Sequence, residues 1–126
     1  MRLLLDTQAF LWWVTDDRRL SKRARTAIAA TPGLLSVASC WEMAIKASLG
    51  KLTLPRPVDR FLQRQLEVNG FTLLPVSLEA AAAVADMPFH HRDPFDRMLA
   101  AQARSHDLPI VSSDPVFAKY GVRRVW

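Results

Sequence analysis

Short apolar runs alternate with helix-patterned stretches along the sequence, and this alternation constrains the fold more than any other feature. Residues 2–5 (RLLL), 34–38, 71–76, 109–112 (PIVS) and 122–125 (VRRV) read as short buried strands. Between them, helical patterning covers 7–15, 22–30, 39–49, 58–69, 78–86 and 94–105. Local signals delimit these helices: Ser21, Ser39, Ser77 and Asp93-Pro94 are good starts, and Gly50 and Gly70 are good stops. Residues 51–57 (KLTLPRP) read as a linker and 87–92 (MPFHHR) as a loop. Strands alternating with helices predict an α/β domain with a mostly parallel sheet covered on both faces. No repeat, low-complexity tract or second core intervenes, so residues 1–126 are expected to form one domain.

Five carboxylates fall where such a sheet would gather them. Asp6 ends the first apolar run, Asp114 follows the fourth, and Glu42, Asp93 and Asp96 sit in the opening turns of predicted helices. Sites in open parallel sheets lie beyond the carboxyl ends of the strands. Carboxylates brought together there repel, unless a cation neutralises them or their pKa values move. Each also has a local explanation. Ser39-Cys40-Trp41-Glu42 reads as a capping box, and Glu42 and Lys46 have the spacing of a helix-surface ion pair. Asp93 reads as an N-cap, Asp96 as a first-turn charge and Asp114-Pro115 as a turn initiator. Asp6 resists such a reading, because a carboxylate directly after three leucines is poorly placed for solvent.

Charge supports the joint reading. Seventeen Lys and Arg against twelve Asp and Glu give a net +5. If five carboxylates share one site, the remaining surface is far more basic still. An acidic hole in a basic surface suits a polyanionic substrate. A hard divalent ion such as Mg²⁺ or Mn²⁺ takes oxygen ligands, few of them directly from protein, so four or five carboxylates can serve one or two ions. No apolar run approaches the roughly 18 to 20 residues of a membrane span, and the N-terminal residues show no secretory pattern. Cys40 is the only cysteine. It allows neither an internal disulfide nor a thiolate metal site, and a cytoplasmic location is expected.

Four segments in order, LLLDT at 3–7, SVASCWEMAIKASLGKL at 36–52, HHRDPFDRMLAAQA at 90–103 and VSSDPVFAKYGVRRVW at 111–126, together span nearly the whole chain. They resemble PIN-domain ribonucleases and, within that family, the VapC-type toxins of bacterial toxin–antitoxin pairs. The resemblance implies a three-layer α/β/α PIN-like domain that hydrolyses RNA phosphodiester bonds with Mg²⁺ or Mn²⁺. It implies an acidic quartet of Asp6, Glu42, Asp96 and Asp114, with Asp93 as an added carboxylate of the metal site. It further implies a homodimer restrained by a cognate antitoxin.

Beside the acidic residues, Thr7 and Ser113 could bind a ligand carboxylate or a phosphate, or serve as cap and turn residues. Arg97, next to Asp96, is assigned to a substrate phosphate near the metal. His90 and His91 read as a solvated loop pair that could contact RNA rather than metal. The basic run Arg18, Arg19, Lys22, Arg23 and Arg25 reads either as a solvated helix face or as a phosphate contact. Phe10, Trp13 and Val14 group on one face of the first helix and leave Trp12 on the other, which is either buried all round or a protein interface. Trp41, Ala44, Ile45 and Leu49 read as a buried stripe. Two other functions compete: a phosphotransfer domain with Asp6 as nucleophile, which lacks a second nearby aspartate, and a non-catalytic nucleic-acid- or partner-binding PIN-like module.

Overall fold

Leu3, Leu4 and Leu5 form the central strand of a five-stranded sheet in the computed structural model, which describes residues 2–126. Met1, the first position of the expected domain, lies outside them. This strand, β1 (Leu3–Leu5), pairs with β2 (Gly33–Ser36) and β4 (Ile110–Val111), and β3 (Thr72–Leu74) and β5 (Arg124–Val125) form the edges. The order is β3-β2-β1-β4-β5 and every pairing is parallel.

The pleat explains why β1 needs three leucines. Successive side chains point to opposite faces, so a strand covered on both sides must be apolar throughout. Leu3 and Leu5 join Phe10 of α1 (Thr7–Val14), Ala24 and Ile28 of α2 (Lys22–Ala30), Met43 of α3 (Val37–Ser48) and Leu62 of α4 (Val58–Asn69) in one core. Leu4 joins Ala80 of α5 (Leu78–Ala83), Leu99 and Ala100 of α6 (Pro94–Ser105) and Phe117 of α7 (Val116–Lys119) in the other. The result is a three-layer α/β/α fold. Gly33 is required at the start of β2, because a Cβ there would sit 2.8 Å from the Phe71 ring.

Helix ends follow the local chemistry in most places. Ser21, Ser77 and Asp93 accept hydrogen bonds from the first-turn amides of α2, α5 and α6, and Gly70 closes α4 at φ 66°. The start of α3 differs from expectation. Ser36, not Ser39, is the N-cap, accepting from the Ala38 amide at 3.0 Å. Strand β2 runs directly into the helix, and Ser39 lies inside it, its Oγ buried without a hydrogen-bond partner among the described residues. Starting three residues early, α3 buries Ala38, Ser39, Glu42 and Met43. The expected stripe of Trp41, Ala44, Ile45 and Leu49 is therefore not the buried one: Trp41 is 63% and Leu49 62% exposed. A four-residue helix, α7, also occupies what read as a turn after β4.

Trp12 and Trp13 are both half-buried against the first core. Trp13 donates Nε1–H to Asn69 Oδ1 at 2.9 Å, and Trp12 packs on the Trp126 ring at 5.8 Å under the Arg19 guanidinium. Trp126 thus packs on the Trp12 face, which read either as buried all round or as a protein interface. No helix among the described residues is long and apolar enough to cross a membrane.

Candidate metal centre

The topology brings the carboxylates to one edge. The chain leaves β1 to one side of the sheet and later returns to β4 on the other, so the carboxyl ends of these neighbouring strands open a crevice at the switch point. Asp6 follows β1 and N-caps α1, its Oδ1 accepting from the Ala9 amide at 2.7 Å. Asp114 follows β4, held by the Val116 amide on Oδ1 and by its own amide on Ser112 Oγ. Asp93 caps α6 and Asp96 stands in its first turn. Glu42 lies in the second turn of α3, too deep for a capping box, so the cap reading of this residue fails because the helix starts at Val37.

These five carboxylates, with Thr7 and Ser113, line one cleft of about 530 Å³. Gln8, Lys46 and Lys51 supply its other polar walls. Within it, Thr7 Oγ1 donates to Glu42 Oε1 at 2.6 Å, and Lys46 Nζ sits 2.7 Å from Glu42 Oε2. Both oxygens of Glu42 are thus engaged, and the ammonium is held protonated above its usual range chiefly by that carboxylate.

Electrostatics set two aspartates apart. Burial raises the Asp6 carboxyl to about 6, with the Glu42 and Asp114 charges adding to the rise and hydrogen bonds from Ser112 and Ala9 opposing it. Asp96 is pushed to about 7 by burial and then by the Asp93 charge, while His91 pulls it down. Clustered carboxylates that resist ionisation, Asp6 buried and Asp96 half-buried, are the donor set a hard divalent cation satisfies: the ion supplies the missing positive charge and takes oxygen ligands. Among the described residues, Asp96 and Asp114 bring oxygens close enough, together with a His91 nitrogen, to face a single ion, and the other carboxylates line the same cleft.

Arg97 is a correction. It does not line the cleft. Its guanidinium is buried, donating to the carbonyls of Val84, Met87, Pro88 and His91 and to Tyr120 Oη, with Phe89 stacked at 4.1 Å. Adjacent helix residues point about 100° apart, so the neighbour of a site aspartate is turned away from the site. The basic run lies elsewhere as well: Arg19 pairs with Asp17 and Arg25 with Asp16.

His91 is the residue that sequence reasoning set aside. Its Nε2 lies 2.9 Å from Asp96 Oδ2 and 3.3 Å from Asp114 Oδ2. The ring and the two carboxylates offer atoms all within 4.8 Å of one another. The only sequence signal was its position two residues before the Asp93 cap.

Known proteins resemble this chain in sequence and in fold. The PIN domain family matches residues 3–122. Ribonuclease VapC22 of Mycobacterium tuberculosis is 34% identical over 113 residues, covering 89% of this chain and 86% of that protein. DNA-bound VapBC from Salmonella typhimurium has the same fold, with a TM-score of 0.68 at 16% identity over 98% of this chain and 96% of that one. A toxin–antitoxin complex from Klebsiella pneumoniae matches with a TM-score of 0.59 at 17% identity, over 89% of this chain and 86% of that one.

Proposed function

The chain belongs to the PIN-domain family, and we propose that it is a metal-dependent ribonuclease of the VapC type, the toxin of a toxin–antitoxin pair. The observation that carries this reading is the cleft in which Asp6, Glu42, Asp93, Asp96 and Asp114 converge from four elements of the fold. The likeness to a relative named a ribonuclease supports RNA as the substrate.

Asp6, Asp96 and Asp114 hold Mg²⁺ or Mn²⁺ in this proposal, with Glu42 and Asp93 acting from the wall of the cleft. When bound, the ion activates water and offsets the charge that develops on the phosphate. Lys46 and Lys51 give the RNA backbone cationic partners at the rim. A site carboxylate receives the proton of the attacking water. Thr7 orients Glu42 through the 2.6 Å bond.

Two partners belong to the same reading. The likeness to a toxin–antitoxin complex supports a protein antitoxin. A second copy of the chain is supported by an apolar groove of about 520 Å³ lined by Val37, Trp41, Val76, Phe95 and Met98. A free Cys40 suits a reducing cytoplasm. The deciding experiment is RNA cleavage by purified protein with Mg²⁺ or Mn²⁺, with and without EDTA, beside Asp96→Asn. Metal-dependent cleavage lost in the variant is expected. Cleavage that survives EDTA, or none with either ion, would overturn the proposal.

A further inference from the structure

We infer that His91 is a positioning residue of the metal centre: it ties Asp96 to Asp114 as a hydrogen-bond donor and is not itself a ligand. The inference rests on the metal-site reading above.

Heavy-atom geometry fixes the tautomer. The Asp93 backbone N–H, which can only donate, points at His91 Nδ1 at 3.1 Å. Nδ1 is therefore the acceptor, and the ring proton sits on Nε2. That proton faces two carboxylate oxygens, Asp96 Oδ2 at 2.9 Å and Asp114 Oδ2 at 3.3 Å. A metal ligand needs a lone pair on the coordinating nitrogen. To provide one at Nε2, the proton would have to move to Nδ1, where it would face the Asp93 N–H head on. The loop thus selects the donor state. Hydrogen bonds of this kind orient ligating carboxylates, and their loss weakens metal binding.

The loop that carries the ring is itself fixed from behind. The His91 N–H donates to Tyr120 Oη at 3.0 Å, and that hydroxyl donates to the Pro88 carbonyl at 2.8 Å. Arg97 spans the same segment through the carbonyls of Val84, Met87, Pro88 and His91. The arginine beside Asp96 therefore reaches the site through this loop and His91, joining α6 to the residues after β4.

Two substitutions divide the two ends of the ring. His91→Gln puts an amide donor near the Nε2 position but leaves the Asp93 N–H without its acceptor. His91→Asn keeps an acceptor for Asp93 but cannot reach the carboxylates. Mn²⁺ affinity is measured by the loss of the free-ion EPR signal on titration, with thermal melting as the folding control. His91→Gln should bind close to wild type, and His91→Asn about 10- to 100-fold more weakly. In pulsed EPR, Mn²⁺ bound to wild type should show no ¹⁴N coupling from His91. Equal affinity in all three proteins, or weak binding by Gln with normal binding by Asn, would overturn the inference while leaving the metal site standing. A ¹⁴N coupling lost in His91→Gln would also overturn it, by making the ring a ligand. Failure of wild type itself to bind Mn²⁺ would overturn the metal reading and this inference with it.

Discussion

Thr7 and Glu42 meet across 35 residues of sequence, the hydroxyl donating to Oε1 at 2.6 Å from the first turn of α1 to the second turn of α3. With Lys46 on its other oxygen, Glu42 is a buried carboxylate engaged on both sides. Glu42→Gln preserves an acceptor for Thr7 and removes the charge. The partly exposed Lys46 pair contributes only about 0.2 to 0.5 kcal/mol, so melting should change little. Cleavage of RNA should fall by at least tenfold. Full activity in the Gln variant would remove Glu42 from the site.

Asp6 and Asp96 make the metal-free protein sensitive to pH in the direction opposite to ordinary salt-bridged carboxylates. Their folded values, about 6 and about 7, lie above the unfolded 3.8. Folding therefore takes up protons between about pH 4 and 7, and stability falls as pH rises through that window. Asp6→Asn keeps the N-cap acceptor and removes the ionisation penalty. It should raise metal-free stability at pH 7.5 by on the order of 2 kcal/mol while abolishing cleavage. Urea melts of both proteins in EDTA at pH 5 and 7.5 check this. A variant less stable than wild type at the higher pH would sink the idea.

Divalent ions reverse the trend. Protons and the cation compete for the same oxygens, so Mn²⁺ affinity should fall as pH drops from 7.5 to 5.5, and saturating Mn²⁺ should raise the melting temperature more at the higher pH. Calorimetric titration at the two pH values measures it. Affinity independent of pH would mean that Asp6 and Asp96 do not bind the ion.

Arg97 separates a structural from a substrate-contacting arginine. Replacing it with Gln leaves the carbonyls of Val84, Met87, Pro88 and His91 without this donor; Met87 is buried, and a buried carbonyl left unpaired costs about 1 to 3 kcal/mol. A loss of about that size is expected by urea denaturation. The salt dependence of RNA binding should be unchanged in whatever fraction remains folded. A slope of log affinity against log salt reduced by about one, with stability intact, would restore the phosphate-contact reading.

Much of this was legible because local and tertiary demands coincide. The bounds of α2, α4 and α6 follow from Ser21, Gly70 and Asp93-Pro94, each the only good cap in its neighbourhood. Asp6, Asp93, Asp96 and Asp114 converge because they sit at strand and helix ends at a switch point, and Glu42 joins them from the second turn of α3. Where two local answers compete, tertiary pairing decides. Ser36 and Ser39 are both good N-caps, and Ser36, which pairs in register with Leu74, ends β2 and starts α3 at once. In the helix that results, Glu42 faces inward and Trp41 outward. His91 was out of reach for a different reason: its partner Asp114 arrives 23 residues later from another strand end, and no local pattern announces that contact. Arg97 was misread although helix geometry alone turns it about 100° from Asp96.

Trp41 carries the last prediction. Its ring is 63% exposed yet stands edge-on to Phe95 at 5.6 Å, at the side of the apolar groove between α3 and α6. Large exposed aromatic surface of this kind marks an interface, and an aromatic anchor at an interface centre contributes about 2 kcal/mol or more. If a second copy covers the groove, Trp41→Ala should weaken self-association roughly 30-fold or more. The monomer should lose almost no stability, because the side chain leaves no cavity in either core. Sedimentation equilibrium of wild type and variant, paired with thermal melts below the dissociation constant, distinguishes the outcomes. A wild type that stays monomeric at high concentration would refute the self-association reading. A variant that dimerises as tightly as wild type would move the interface off this groove.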